Sequence, residues 1–411
     1  MLQILADSSL LERWESDECV KMHDVVRDMV LRMTSPNGEE CTYLVRAGSS
    51  NFEEMPEDKE WESTTRISFM YNKLGSLPES PVCPMLLTLP LQGNYELEVI
   101  PKSFFNHMPS LGVLDLSRTR IKTLPTSISN LVSLRALLLK GCEFLEALPE
   151  ELSALKELEV LWVTRTKMAC LPSRIWELIN LKCGKFSSFY GGGDEKMIIN
   201  SGRLSQMEEL SILEFGSSLL SDGSVDIVTK ELGYMTRLSS LGFGFRRVNN
   251  LQYFLQNSKP WRDGKLTKFR FSVGEHSWNY SQCLYYDFKG RKRCLRYKAR
   301  GGDGISSSII IPDAVKEVLA CSDCLVLEGH EKLKNLSDLG ARNTFWLKTC
   351  CIYECGELET IRSFGYFSEF TSPPAGFTLE FEVHYGDGGN GITKQQLHKS
   401  EGIGLIPLLE D

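Results

Sequence analysis

The sequence feature that most constrains the fold is an apolar pattern that returns every 22 to 25 residues between Thr64 and Leu181. Residues 111–121 read L-x-x-L-x-L-x-x-T-x-I, and the pattern begins again at Leu134 and Leu158. A unit of this length is too small to bury its own apolar side, so stacked neighbours must complete the core. The spacing therefore predicts a row of stacked units and a long side surface suited to binding.

This pattern is typical of leucine-rich repeats. Apolar residues at positions 1, 4 and 6 of each frame are expected to face inward from a short strand. The residue at position 9 turns the chain, and its side chain is suited to bonding backbone groups there. Leu-Pro pairs such as Leu124-Pro125 then end strand pairing and lead into a short helical return, for example residues 127–131. We predict an α/β fold, a curved leucine-rich-repeat solenoid with parallel strands on its concave face. Its frames begin near Thr64, Leu86, Leu111, Leu134, Leu158 and Leu181, and its turn residues are Asn72, Asn94, Thr119, Cys142 and Thr166.

After Leu181 the pattern weakens. Further frames are predicted at 207–212, 238–243, 266–271, 322–327 and 347–355. We therefore assign the repeats to 63–361, with an insertion loop near 273–320. The Gly- and Pro-containing segment 362–411 is predicted to be an irregular tail, and the polar, acidic segment 36–62 a linker.

The composition narrows the class of protein. With 411 residues and a net charge of −8, the chain does not fit a general binder of nucleic acids or anionic membranes. No apolar run is long enough for a membrane span, and the N-terminus does not read as a signal peptide. The 13 cysteines form an odd, irregular set, typical of reduced thiols in a repeat core. We expect a cytoplasmic protein.

Residues 1–35 contain an amphipathic pattern, with apolar residues at 22, 26, 29, 30 and 33 and Asp24 placed as a helix N-cap. Before it lie Leu10-Leu11-Glu12 and a short polar hairpin, and the helix begins in Val20-Lys21-Met22-His23-Asp24. After it come the linker and the repeats. Over residues 1–361 this order resembles the plant intracellular nucleotide-binding leucine-rich-repeat immune receptors, of the coiled-coil subclass.

The resemblance implies that 1–35 is the end of a winged-helix module that closes over ADP. His23, flanked by Met22 and Asp24, would then approach the β-phosphate. The G-x-x-x-x-G-K-[ST] phosphate loop of the family is absent from these 411 residues. We therefore expect the ADP or ATP of the full-length family to be held with domains not included here, and no nucleotide to be bound by this chain alone. The implied partners are the nucleotide-binding and coiled-coil domains, and a pathogen effector or a guarded host protein.

Polar and aromatic residues at the outward positions of the strands are the candidate partner-binding residues. A tryptophan among arginines is a typical hot-spot composition, although each of these residues is also explained as an ordinary solvated strand residue. The set, from frame positions 3, 5, 7 and 8, is Asp115, Arg118, Lys140, Trp162, Arg165, Lys268 and Arg270.

Other motifs favour less specific interpretations. The basic segment 289–300 is interpreted as a solvated loop rather than a nucleic-acid site. Cys321, Cys324, Cys350 and Cys355 lack a zinc spacing, so we expect no metal site. No arrangement of catalytic residues is supported, and we expect a non-enzyme.

The function implied is recognition and autoregulation in plant defence. The main alternative is a stand-alone leucine-rich-repeat adaptor that binds a protein partner without a nucleotide switch. A receptor ectodomain and a ubiquitin-ligase subunit are further alternatives that lack supporting motifs.

Overall fold

The computed structural model forms two compact units, residues 1–224 and 225–411, which are described separately. The residues that the structure describes are 11–14, 19–22, 43–45, 55–168, 171–172, 174–188, 207–212, 222–274, 291–298, 311–330, 339, 347–353, 378–384 and 392–398.

The first unit contains a parallel sheet of eight strands, β3 to β10, in chain order. An antiparallel pair, β1 (Leu11–Trp14) and β2 (Cys19–Met22), precedes it. A helix, α1 (Asp58–Ser63), lies between β3 and β4. The sheet strands are β3 (Tyr43–Val45), β4 (Arg66–Ser68), β5 (Thr88–Pro90), β6 (Val113–Asp115), β7 (Ala136–Leu138), β8 (Val160–Thr166), β9 (Cys183–Ser188) and β10 (Glu209–Ile212).

The repeating frame builds the core of this unit as predicted. In the frame that begins at Leu111, the side chains of Leu111, Leu114 and Leu116 are fully buried. The equivalent leucines of the next frame, at 134, 137 and 139, are equally buried. Neighbouring strands pair position for position, with Leu114 opposite Leu137. The leucine-rich-repeat solenoid is thus confirmed by its buried positions and its parallel register.

The turn residue at position 9 bonds the backbone of two repeats. The Nδ2 of the fully buried Asn94 donates to the carbonyl of Phe69 at 2.8 Å and to that of Leu91 at 2.7 Å. Its Oδ1 accepts from the amide of Leu74 at 3.2 Å. In a later frame Thr119 Oγ1 donates to the Leu116 carbonyl at 2.8 Å. The polar residue at this position therefore satisfies backbone groups that the turn removes from water.

The return segments are 3₁₀ turns that follow the Leu-Pro pairs. They span Thr126–Asn130, Glu150–Ala154 and Ile175–Glu177. Pro125 and Pro149 cap the first two turns with φ at −70°. Because proline presets this φ and has no amide hydrogen to leave unpaired, it suits the start of such a turn.

The second unit continues with parallel strands and longer helices. Strands β11 to β16 are parallel to their neighbours, and β17 is antiparallel to β16. The strands are β11 (Ser240–Phe245), β12 (Lys268–Val273), β13 (Arg293–Lys298), β14 (Cys324–Glu328), β15 (Thr349–Tyr353), β16 (Thr378–His384) and β17 (Ile392–His398). The helices are α2 (Asp222–Tyr234), α3 (Val248–Asn257), α4 (Lys259–Arg262) and α5 (Asp313–Ala320).

The structure corrects the expected insertion loop near 273–320. That segment contains β13 and α5, so it is not a continuous loop. Strand β13 was not predicted because the charged residues of the basic segment 289–300 obscure the alternation of apolar side chains. The buried guanidinium of Arg296 is held there by Glu328, so this part of the run is not a solvated loop either.

Two other segments and one residue also differ from the expectation. The irregular tail expected over 362–411 contains β16 and β17, which extend the sheet without the leucine frame. The linker expected over 36–62 includes β3 and most of α1. Met22, expected on the apolar face of a helix, ends strand β2 instead, because it pairs with Leu11 across the antiparallel pair.

Candidate protein-recognition surface

The candidate site is the side of strands β5 to β10 that is opposite the leucine core, which we call the concave face of the first unit. Parallel register aligns its outward side chains in two rows, one from frame position 3 and one from position 5. The first row is Thr88, Val113, Ala136, Val160, Cys183 and Glu209; the second is Pro90, Asp115, Leu138, Trp162, Lys185 and Ser211.

Apolar side chains occupy the middle of both rows. Ala136, Leu138 and Val160 are neither fully buried nor fully exposed, and Val113 is 36% exposed. The leucines on the other side of the same strands are fully buried. An apolar strip left in contact with water is typical of a surface that a protein partner covers.

Trp162 lies in the second row with a lysine near its ring from each neighbouring repeat. Lys140 Nζ is 5.1 Å from the ring centroid, and Lys185 Nζ is 4.4 Å from it. Lys185 also forms an ion pair with Glu209 at 3.0 Å. Both lysine distances are within the range in which a cation is attracted to the face of an indole.

Frame position 8 has a left-handed backbone conformation in five repeats; it lies beyond the strand in four of them and inside β8 in the fifth. The residues there are Tyr71, Gly93, Arg118, Gly141 and Arg165, with φ between 54° and 78°. The amide of Arg118 donates to the Lys140 carbonyl at 2.8 Å, and that of Gly141 donates to the Thr164 carbonyl at 2.7 Å. The hydrogen-bonded ladder therefore continues past the strand ends, and two of the predicted binding residues, Arg118 and Arg165, hold this conformation.

Asp115 combines a structural role with its place in the second row. Its Oδ1 accepts a hydrogen bond from the amide of Ser117 at 2.9 Å, which shapes the turn after β6. Burial raises the pKa of the Asp115 carboxyl, while the bond from Ser117 and the charge of Lys140 act in the opposite direction. The carboxylate is therefore already engaged within its own repeat.

The two remaining predicted binding residues belong to the second unit. Lys268 is exposed and Arg270 is half-buried, and both project from the same side of β12 because they are two residues apart. The structure thus places Asp115, Lys140 and Trp162 on one connected surface of the first unit, and Lys268 with Arg270 on a strand of the second.

The second unit also contains a buried ionic cluster. Glu328 is fully buried and accepts hydrogen bonds from Arg296 and from Lys298, the latter at 2.5 Å. Near it His330 lies at a turn position, with its Nε2 3.3 Å from the Tyr297 carbonyl. Burial lowers the pKa of His330, against smaller opposing effects of that carbonyl and of Glu328. These groups are paired inside the unit, which indicates a structural role.

The nucleotide contact implied by the resemblance lies outside the described residues. His23 and Asp24 are not among them, and of Met22 only its backbone position at the end of β2 is described. Within the described part of the chain, no His, Cys, Asp and Glu side chains form a group of three or more placed to hold a metal ion. The helices described there include none with the length and apolar character needed to cross a membrane.

The sequence reasoning missed Lys185 and Glu209. Lys185 occupies position 5 of the frame that begins at Leu181, so the frame itself contained the signal. This frame departs from the pattern because Gly184 occupies position 4, where the three preceding frames have leucine. A Cβ at that glycine would lie 2.8 Å from the ring of Phe186, so the large neighbour takes the space of the missing leucine.

Comparison with known proteins adds a family model and curated relatives. The model of a leucine-rich repeat region matches residues 105–258. In Arabidopsis thaliana, Probable disease resistance protein At4g27220 is 45% identical over 157 residues, which are 38% of this chain and 17% of that protein. Disease resistance protein RFL1 is 35% identical over 223 residues, or 54% and 24% of the two chains. Disease resistance protein At4g27190 is 31% identical over 280 residues, or 66% and 28%. The chain thus spans between 17% and 28% of the length of these relatives.

Solved structures with similar repeats include the leucine-rich-repeat protein LIC12759 of Leptospira interrogans. It is 16% identical, with a TM-score of 0.40, over 77% of this chain and 84% of that one. The internalin InlF of Listeria monocytogenes is 17% identical, with a TM-score of 0.40, over 74% and 77%. The fold is shown by the buried frame positions, the strand register and the matched repeat model.

Proposed function

We propose that this chain is the recognition and autoregulatory region of an intracellular plant immune receptor. It senses a pathogen effector, or a host protein that an effector has modified. The observation that carries the proposal is the concave face of the first unit, where a half-exposed apolar strip adjoins Trp162 and several basic side chains. The similarity to disease resistance proteins supports the defence context.

The composition of this surface favours a protein as the partner. Tryptophan and arginine are enriched among the few residues that dominate binding energy, and an apolar centre with a polar rim is the usual anatomy of such interfaces. The matched repeat model fits the same interpretation, since stacked repeats create extended binding surfaces.

The proposed regulation is a two-state equilibrium. The repeats hold the nucleotide-binding domain of the receptor closed, and the ligand favours the open state. A ligand shifts such an equilibrium only by its difference in affinity for the two states. Moving the population from about 1% to about 99% open needs roughly a 10⁴-fold difference. The ADP contact of His23 belongs to this proposal and stays a prediction, as does location in the cytoplasm.

Resistance assays test the proposal. Plants that lack the gene are challenged with a panel of pathogen isolates and are then complemented with variants. Leu138→Arg puts a charge in the centre of the apolar strip, and we expect it to fail to restore resistance. The matched control is Val132→Arg, at a residue that is 57% exposed and outside the strand rows, and it is expected to restore resistance fully.

The result that contradicts the proposal is full resistance with Leu138→Arg at normal protein level. Unchanged resistance to every isolate when the gene is absent contradicts the defence role itself. A native protein no longer than these 411 residues, measured by immunoblot, supports the adaptor rather than the receptor.

A further inference from the structure

We propose that the concave face of the first unit selects an acidic segment of its protein partner, with carboxylates that reach Lys140 and Lys185 beside Trp162. This inference rests on the proposed function, which places a partner on this face, and it adds the charge and chemistry of the segment that is bound.

Two lysine side chains lie around the ring of Trp162. The ammonium groups of Lys140 and Lys185 are both about 5 Å from the centroid of Trp162, at 5.1 and 4.4 Å. Two cations held at one ring raise the local positive potential, which attracts an anion. Glu209 already pairs with Lys185 at 3.0 Å, while its own side chain remains 34% exposed. A carboxylate from a partner therefore finds two cations and one indole ring together at this place.

Arginine occupies frame position 8 in two repeats, where the backbone has a positive φ. Glycine adopts a positive φ without steric strain, and two repeats have glycine there, at Gly93 and Gly141. Three residues with side chains adopt the same conformation although a side chain disfavours it: Tyr71 with φ of 54°, and Arg118 and Arg165, each with φ of 57°. Strained backbone in a fold that has a strain-free solution points to a role for the side chain. Both arginine side chains are cationic; Arg118 follows β6 and Arg165 lies near the end of β8, the two strands that flank β7 and its Leu138.

The balance of charge on this surface is opposite to that of the whole chain. The chain as a whole carries a net charge of −8. On this surface Arg118, Lys140, Arg165 and Lys185 outnumber Asp115 and Glu209, and Asp115 is engaged by its own turn. A basic surface on an acidic protein attracts an acidic partner.

Apolar neighbours favour a peptide segment over a nucleic acid. Ala136, Leu138 and Val160 adjoin Trp162 in the two rows, so the occupant needs apolar side chains among its carboxylates. A nucleic acid has a continuous row of phosphates and is bound mainly by many cations in series. The occupant is therefore a protein segment in which acidic and apolar residues are mixed.

The test is a selection of displayed random peptides on the whole 411-residue chain. Peptides retained by the wild-type chain are expected to be enriched in Asp and Glu next to apolar residues. The double variant Lys140→Gln with Lys185→Gln is expected to bind these peptides about tenfold more weakly, since each partly exposed charge pair contributes modestly. The matched control is Lys122→Gln with Lys156→Gln, which removes two exposed lysines outside the concave face and leaves affinity unchanged.

A third variant separates recognition from folding. Glu209→Gln removes the carboxylate that competes for Lys185, so it is expected to raise the affinity for acidic peptides about threefold. A purely structural ion pair gives the opposite result or no change. Circular dichroism checks that each variant is folded.

Four outcomes overturn the inference. In the first, the selected peptides show no enrichment in Asp and Glu. In the second, the lysine double variant binds the acidic peptides as well as the wild-type chain does. In the third, the chain retains no peptide at all. The fourth is lysine-dependent binding of an oligothymidylate that displaces the peptides, which makes nucleic acid the occupant. Loss of resistance with Leu138→Arg in any of these cases leaves the proposed function standing, so the two failures are distinguishable.

Discussion

Replacing Asn94 with alanine removes three hydrogen bonds from the interior of the first unit. The amide side chain donates to the carbonyls of Phe69 and Leu91 and accepts from the amide of Leu74, and it is fully buried. Asn94→Ala leaves these three backbone groups without their partner in a place that has no access to water. This connection joins one repeat to the next.

The expected magnitude follows from these contacts. A buried hydrogen bond contributes about 1 kcal/mol net, and a buried group left unsatisfied costs about 1–3 kcal/mol. Three groups therefore predict a loss of about 3 kcal/mol in the free energy of unfolding. Asn94→Thr is expected to lose about 2 kcal/mol, because its hydroxyl is placed to make one of the three bonds. Thr119 makes that bond to Leu116, which is equivalent to Leu91.

The assay combines urea unfolding with amide hydrogen exchange. A solenoid need not unfold in one step, so exchange at Leu74 reports the local loss directly. A loss of about 3 kcal/mol predicts exchange roughly a hundredfold faster there in Asn94→Ala, if exchange is limited by the local opening equilibrium. The matched control is Asn106→Ala, which removes an exposed bond to Asn130 and is expected to have little effect.

The expected order of destabilisation is Asn94→Ala, then Asn94→Thr, then Asn106→Ala. The reasoning is refuted if Asn94→Ala is as mild as Asn106→Ala, because the three bonds would then contribute nothing net. Equal losses for the two Asn94 variants would show that the hydroxyl does not replace any of the bonds.

Three other predictions concern charge, pH and backbone. Glu328→Gln is expected to lower the free energy of unfolding by about 3 kcal/mol, because it leaves the buried cation of Arg296 poorly compensated. Urea titrations measure this loss. The control is Glu98→Gln, which removes an exposed ion pair and is expected to change the free energy of unfolding little. Burial lowers the pKa of His330, so the unfolded state binds more protons below the usual histidine pKa of about 6.5, and stability is expected to fall as the pH drops through that range. His330→Gln should flatten this dependence in unfolding experiments from pH 5 to 7, and an unchanged slope would contradict the assignment. Gly93→Ala is expected to lower the melting temperature, because its φ is 78° and a Cβ there would lie 2.5 Å from the ring of Tyr71. Adding Tyr71→Ala should recover only the part due to the clash, and full recovery would show that φ strain is negligible.

The sequence alone determined the repeat frame and its core. The inward positions follow from the regular spacing of apolar residues in the sequence. A leucine that recurs at fixed intervals has the same environment in each stacked unit. The buried leucines of the frames, the turn role of Asn94 and the 3₁₀ returns after the Leu-Pro pairs all agree with that prediction. Because strand side chains alternate, the sequence also indicated which residues lie at outward strand positions, among them Asp115 and Trp162; their role in binding stays a prediction.

Only the tertiary structure decided which outward residues meet. Lys140, Trp162 and Lys185 come from three successive repeats, and their approach depends on the register between strands. Likewise, Arg296 pairs with Glu328, which is 32 residues away in the chain. This contact accommodates a charged residue inside a strand, in a segment whose charges indicate a loop. Periodicity reports the environment of each residue within its own unit, whereas contacts between units depend on how the strands align and how side chains of different repeats pack together.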